Sequence, residues 1–374
     1  MDDNLGLEYF SDLEDPRIIG MVTYPLDEIL LVVLSGVLCG FDDFEELVFW
    51  AESELPWFQT ILPFSSGIPT AITIRRVLNA LDSRAFARCF ERWILKCAGI
   101  VQGVIAVDGK TVRGSHHRAD GGKPTHLVSA FSYEKGLVIA QEEVDQKSNE
   151  ITAIPKILNR LSLPGTIITL DAMGTQKEIA RQIIEAGGDY ILAVKGNQKT
   201  LKEEIIRTLN IRSKCWDEKE TIDAGHGRID VRLCRVTSDI DRLKRSHPDW
   251  VGIKSVVQIT SKRIDKKTGH VVEKERYYIT SLQQNAEKIL EYVRAHWSIE
   301  NTLHWVLDVH FREDSCRMRT DHGAANLAII RKIAFNLFKA LGEKKTMKRH
   351  MTTALIDQQY RTKILAQNQT VNNL

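Results

Sequence analysis

Apolar residues recur at helical spacing through the first hundred positions of the chain. From Ser83 onward, Phe86, Phe90, Trp93, Ile94 and Cys97 fall three or four apart, one stripe of an amphipathic helix with Ser83 placed to cap it. Leu26 to Leu38 is hydrophobic on nearly every side, the pattern of a buried helix. The Pro, Gly and Ser of LPFSSGIPT (62–70) mark a connecting loop.

The period changes at Val104. VIAV is a β-branched run that ends on Asp108. After a polar loop, Ser115 to Pro124, two strand-like stretches, LVSAFS and LVIAQEEV, are joined by the turn Tyr133 to Gly136, which predicts a hairpin. Helical spacing returns behind Ser148 with Ile151, Ile154, Ile157, Leu158 and Leu161. TIITL (166–170) is a buried strand running into Asp171. A helix over about 176–185, the strand YILAV (190–194), the polar KGNQ and another helix follow. Three strands joined by short turns make an antiparallel meander, and the later strands must add by crossovers. This is the layout of a ribonuclease-H-like fold, whose first and fourth strands lie parallel and adjacent. Asp108 and Asp171 would then sit together off the carboxyl ends of the strands, where open α/β sheets place their functional crevice.

Between about 212 and 282 the helical period fades into strand-like runs, DVRLCRV, IKSVVQITS and KERYYITS, read as a β-rich insertion. Helical signals resume at Ala286 and end in a basic helical tail over about 343–374. The expected fold class is α/β. An acidic all-α N-terminal domain (1–100) precedes a ribonuclease-H-like catalytic core with the β-rich insertion (101–374).

Charge sharpens this division. Of the formal net charge of +2, residues 1–66 contribute −13, from fourteen acids and Arg17 alone, so the rest carries +15. A strongly basic body suits a polyanionic partner, although solvated lysine-rich helix faces would give the same sum. A hydrophobic content of 43% excludes a disordered chain. The six cysteines form no C-x-x-C pair, which excludes a zinc ribbon or a disulfide frame. The start, MDDNLGLEYF, lacks a signal peptide's basic region, and the longest apolar run, Ile29–Cys39, is too short for a bilayer, so a cytoplasmic protein without a membrane span is expected.

The densest chemistry lies in RAHWSIENTLHWVLD. His296, Glu300, His304 and Asp308 recur every fourth residue, along one face if the segment is α-helical. A solvated polar stripe is one reading. A zinc site is another, but no HEXXH is present and His296 and His304 are two turns apart. A third takes Glu300 as partner of Asp108 and Asp171. Three acids are hard-oxygen ligands, suited to Mg²⁺ or Mn²⁺, and two such ions serve in-line attack on a phosphodiester. Other polar residues beside this edge are candidate DNA contacts or ordinary loop residues: Lys110 and Arg113 after the first strand, and Lys195, Asn197 and Gln198 after the last. His226 and Arg228 in the insertion, and Lys344, Lys345, Lys348 and Arg349 in the tail, are weaker candidates of the same kind.

IAVDGKTVRGS, KSNEITAIPKIL, ITLDAMGTQKEIA, DYILAVKGNQKTL, GHGR and HWSIENTLHWVLDVHFRED together resemble the DDE transposases of bacterial insertion sequences. The match is nearest to the H-repeat-associated proteins of Rhs elements and extends to the N-terminal FSDLEDPR and GFDDFEEL. The resemblance implies Asp108, Asp171 and Glu300 as catalytic, metal-holding acids, with Mg²⁺ or Mn²⁺ as cofactor. It implies cleavage of double-stranded DNA at transposon ends, transfer of the 3′-OH into target DNA, and a homodimer on DNA. A stand-alone nuclease and a silent DNA-binding remnant are the alternatives. Related transposases grip end phosphates with a Tyr, Arg and Lys signature around the glutamate. Here His296 replaces that Arg and Leu307 that Lys, leaving Arg294, His296 and His304 as candidate DNA contacts.

Overall fold

The computed structural model describes residues 10, 12–18, 20–116, 123–145, 147–211, 216–225 and 227–366. Five helices come first: α1 (Leu26–Cys39), α2 (Phe44–Ser53), α3 (Leu55–Phe58), α4 (Ala71–Ala80) and α5 (Ser83–Ala98). Local chemistry sets their ends. Asp43 caps α2 by accepting from the amides of Glu45 and Glu46. Asp82 caps α5 through Ala85 N, which releases Ser83 from the capping role expected of it; its hydroxyl reaches Glu143 instead, at 2.8 Å. Gly36 lets α2 approach α1, since a Cβ there would lie 2.2 Å from Leu47.

Next come β1 (Gly103–Thr111), β2 (His126–Ser132), β3 (Leu137–Glu143), α6 (Glu150–Leu158), β4 (Thr166–Leu170), α7 (Lys177–Glu185), β5 (Asp189–Val194) and α8 (Lys199–Asn210). Asn149 caps α6, its side chain accepting from Ile151 N. β1 pairs antiparallel with β2 and parallel with β4, and β4 pairs parallel with β5. The order β3-β2-β1-β4-β5 is the ribonuclease-H-like arrangement the sequence predicts. β1 does not stop at Asp108. It runs three residues further, held by β2 alone, because its pairing with β4 ends at Val107–Leu170.

The insertion supplies β6 (Asp217–Gly225), β7 (Arg228–Thr237), α9 (Asp241–Ser246), β8 (Ser255–Asp265) and β9 (Val271–Thr280). It is no separate layer. β9 pairs antiparallel with β5, so all nine strands form one sheet, β3-β2-β1-β4-β5-β9-β8-β7-β6. Then come α10 (Ala286–Ser298), a π-helical segment (Ile299–His304), α11 (Trp305–Val309), α12 (Gly323–Ala340), α13 (Met347–Ile356) and α14 (Gln358–Ala366). Ile289, Leu290 and Val293 of α10 pack on Cys234, Val236 and Val257 of the insertion.

Within the stretch expected as a basic helical tail, the described residues form two packed helices, α13 and α14. One hydrophobic core runs from the N-terminal helices through α12 to α14. Two buried asparagines tie α12 to its neighbours: Asn326 Nδ2 donates to the carbonyls of Leu78 and Leu81, each at 2.8 Å, and Asn336 exchanges two bonds with Val138. Arg361, 1% exposed, lies against the rings of Trp50 and Trp57 and pairs with Glu54. Lys345 and Lys363 are paired with Glu343, while Lys344, Lys348 and Arg349 are exposed. Among the described residues, no helix is long and apolar enough to cross a membrane.

Candidate active site

Asp108 faces the helical segment that carries Glu300. Its side chain is 15% exposed, and burial first, then the Glu300 carboxylate, raises its pKa far above the usual carboxylate range. Glu300 is the second residue of the π segment, where the Trp305 amide donates to the Glu300 carbonyl, five residues back. Such one-turn π insertions are frequent at functional sites. The wider turn brings His304, 5% exposed, beside both acids: Nδ1 lies 3.7 Å from Asp108 Oδ2 and 3.6 Å from Glu300 Oε2. His304 holds the Glu300 carboxyl below its ordinary pKa. One ligand atom each from Asp108, Glu300 and His304 lies within 4.8 Å of the others. Two carboxylate oxygens and one imidazole nitrogen, so gathered, fit a divalent cation.

Asp171 follows β4 directly and stands outside that cluster of three. Its Oδ1 accepts from the amides of Met173 (2.8 Å) and Gly174 (3.3 Å), a tight turn that fixes the carboxylate. Its charge acts on both Asp108 and His296. The turn is braced from the loop after β5. Asn197 Nδ2 donates to Ala172 O at 2.6 Å and Gln198 Nε2 to Thr175 O at 3.1 Å.

These bonds make Asn197 and Gln198 supports of the Asp171 turn. Lys110, 11% exposed, is ringed by Asp308 (2.7 Å), Asp314 (2.9 Å) and Glu313 (3.1 Å), so its ammonium binds the fold together. His296 Nδ1 lies 3.0 Å from Thr169 Oγ1, and burial pushes the imidazole down to about 4, so the ring is neutral at pH 7 and no phosphate-binding cation. Arg294 pairs with Asp223 at 3.0 Å. Arg228 pairs with Asp230, and His226 lies outside the described residues. Lys195 is exposed on the same edge as Asp171, and Arg113 is 82% exposed, 3.4 Å from Asp314.

Two neighbours of the acids escape sequence reasoning. Glu150, the first residue of α6, lies against Gly109 so closely that a Cβ there would sit 2.1 Å from its Oε1. His126 bridges it to β1, with Nε2 2.7 Å from Glu150 Oε1 and Nδ1 2.8 Å from Thr111 Oγ1. Helix-start chemistry in KSNE locates Glu150 on α6 but not its contact with β1.

A family model described as "Transposase DDE domain" matches residues 100–337, and a second, "DDE_Tnp_1-associated", matches residues 7–94. The chain belongs to the DDE-domain transposase family. "H repeat-associated putative transposase YhhI" of Escherichia coli (strain K12) is 37% identical over 96% of this chain and 97% of its own length. "Putative transposase YncI" of Escherichia coli O157:H7 is 39% identical over 89% and 87%. A solved piggyBac transposase synaptic complex with hairpin DNA aligns at 10% identity with a TM-score of 0.46, over 99% of this chain and 78% of that one. The acid-bearing edge of this DDE-domain protein thus lies where β1, β4 and the π segment converge, all inside the matched span.

Proposed function

We propose that the protein is an active transposase which cuts double-stranded DNA at transposon ends and joins the freed 3′-OH to target DNA. The observation that supports it is the gathering of Asp108, Glu300 and His304 on the sheet edge that also carries Asp171. In the first step a water oxygen attacks the end phosphorus and the P–O3′ bond breaks, leaving a 5′-phosphate and a free 3′-OH. In the second that hydroxyl attacks a target phosphodiester, and the target's own 3′-oxygen leaves with a proton. Mg²⁺ or Mn²⁺, once bound, would supply the Lewis acidity that lowers the pKa of the attacking oxygen and stabilises the leaving one.

Asp108, Asp171 and Glu300 would hold the cations, two in number, and His304 would add a nitrogen donor that Mn²⁺ accepts more readily than Mg²⁺. The Asx-type turn leaves Asp171 one oxygen, Oδ2, clear of backbone bonds for this purpose. A homodimer would carry one such edge to each end. Incubation with duplexes bearing the flanking ends and Mg²⁺ should yield nicked and joined products, both lost in Asp108→Asn and Asp171→Asn. Nicks without joining would indicate a nuclease. Neither product, with duplex binding intact, would indicate a silent remnant.

A further inference from the structure

Next to the acid edge lies a cleft of about 470 Å³ whose lining carries more charge than the candidate site itself. That volume is in the range of small-ligand clefts, about 300–1,000 Å³. Two of its walls belong to the neighbourhood of the acids. Glu150 packs against Gly109, the residue after Asp108, and Met173 is the residue whose amide bonds Asp171. Whatever fills the cleft therefore lies against residues that touch the chain beside Asp108 and Asp171.

The balance of charge in the cleft says what that is. Three lining acids are already engaged by protein groups: Glu143 with Ser83 and His322, Asp145 with Arg84 and Lys156, and Glu150 with His126. The lining cations are differently placed. Lys123 is exposed and has no ion-pair partner among the described residues. Arg319 is exposed and, among the described residues, spends only its Nε, on the Gly114 carbonyl at 3.2 Å, which leaves both terminal nitrogens of its guanidinium without a partner there. Among the described residues, Asp321 is the one lining acid without an engaged partner. An incoming group meets two available cations against one available carboxylate, with the side chain of Met173, 47% exposed, as the apolar surface at the mouth.

We infer that this cleft binds one strand of the substrate DNA beside the scissile phosphate, with its phosphate on Arg319 and Lys123 and its sugar or base against Met173. Arg is the side chain best shaped for a phosphate, and a half-exposed methionine is an adaptable apolar contact. The inference rests on the transposase reading above and adds to it a direction, since it runs the strand from the Asp171 turn across the ends of β1, β2 and β3. None of these cations was singled out by the sequence pattern; Arg319 lies in RMRTDHG, beyond the motif around Glu300.

The test uses the full chain, without divalent metal so that binding is read apart from cleavage. The probes are a duplex with a single-stranded overhang and the same duplex with blunt ends. Arg319→Gln and Lys123→Gln, alone and together, are compared with Arg181→Gln, a change on α7 outside the cleft lining. For the double variant, overhang affinity should fall by about tenfold near 0.1 M salt, and the slope of log affinity against log salt should shrink by about one to two. The blunt probe should lose less, and thermal unfolding should be unchanged in all variants. Equal losses on both probes would place the two cations on duplex backbone and overturn the single-strand assignment. Unchanged affinity and slope in the double variant, while the wild-type chain still nicks and joins ends, would overturn the cleft and leave the proposed function standing. A wild-type chain that binds neither probe would remove both.

Discussion

Lys110 Nζ lies 2.7 Å from Asp308 Oδ1, and this contact forms a second rung beside the one between Asp108 and His304. The strand residues are two apart and the helical ones four apart. Two residues of strand advance roughly 6.6 Å and four residues of helix roughly 6 Å, so rungs at these spacings align. The segment carrying Glu300 is thereby fastened to β1 at two levels, one reactive and one structural.

Removing the structural rung should therefore cost folding rather than DNA affinity. Lys110→Met leaves Asp308, Asp314 and the fully buried Glu313 without their shared cation. Breaking a buried pair in this way destabilises by about 3–5 kcal/mol. Urea unfolding should show that loss, while the salt dependence of nonspecific duplex binding stays as in the wild type. Unchanged stability with a salt slope reduced by about one would make Lys110 a phosphate contact after all.

His296 gives the chain a readable pH dependence. Its folded pKa is depressed to about 4 from 6.5, so between those values the unfolded chain binds more protons. Stability from this ring is present above pH 6.5 and is lost as pH falls toward 4. His296→Gln should remove that loss, so that relative to wild type the variant gains up to about 3 kcal/mol between pH 6.5 and 4. Paired denaturation curves across this window check it. A constant difference would mean that the ring is protonated in the folded protein.

Asn197→Asp keeps the shape of the side chain and deletes the donor to Ala172 O. If that bond sets Asp171, the Mn²⁺ concentration giving half-maximal cleavage should rise by about tenfold, as for other supports of metal-holding groups. Calorimetry of Mn²⁺ binding should show the same change, with duplex affinity intact. Weaker duplex binding with unaltered Mn²⁺ affinity would return Asn197 to the DNA surface.

Much of the sheet was legible because its signals are local. Short turns, buried β-branched runs and intervening helices place Asp108 and Asp171 on neighbouring strands without any long-range information. β6 was not legible, for it is an edge strand whose half-buried positions hold Asp217, Lys219 and Thr221 while Ile222 faces outward. His304 was visible as a residue but not as a neighbour of Asp108, since that meeting depends on the π turn. Asn197 and Gln198 have polar side chains that suit a backbone carbonyl as well as a phosphate, and only the fold decides between them. The packing of α1 to α5 on α12 to α14 leaves no spacing pattern, because the matched faces lie hundreds of residues apart.

That packing carries its own prediction. Deleting residues 1–66 removes α1, α2 and α3, and with them Trp50, Trp57 and Glu54 from around Arg361. The remainder should unfold without cooperativity and bind a hydrophobic dye, because α12 and α14 lose the surface they are buried against. A sharp, cooperative melt of the truncated chain would show instead that the acidic helices form a detachable module.

The nine-stranded sheet bears on how force travels through the molecule. β9 is hydrogen-bonded to β5 along four residue pairs, so the hairpins of the insertion have no hinge at their root. A load applied at β6 or β7 is passed strand by strand, through backbone bonds, to the strand that flanks β4 and the Asp171 turn. The hairpins thus act as a stiff lever and not as a swinging arm.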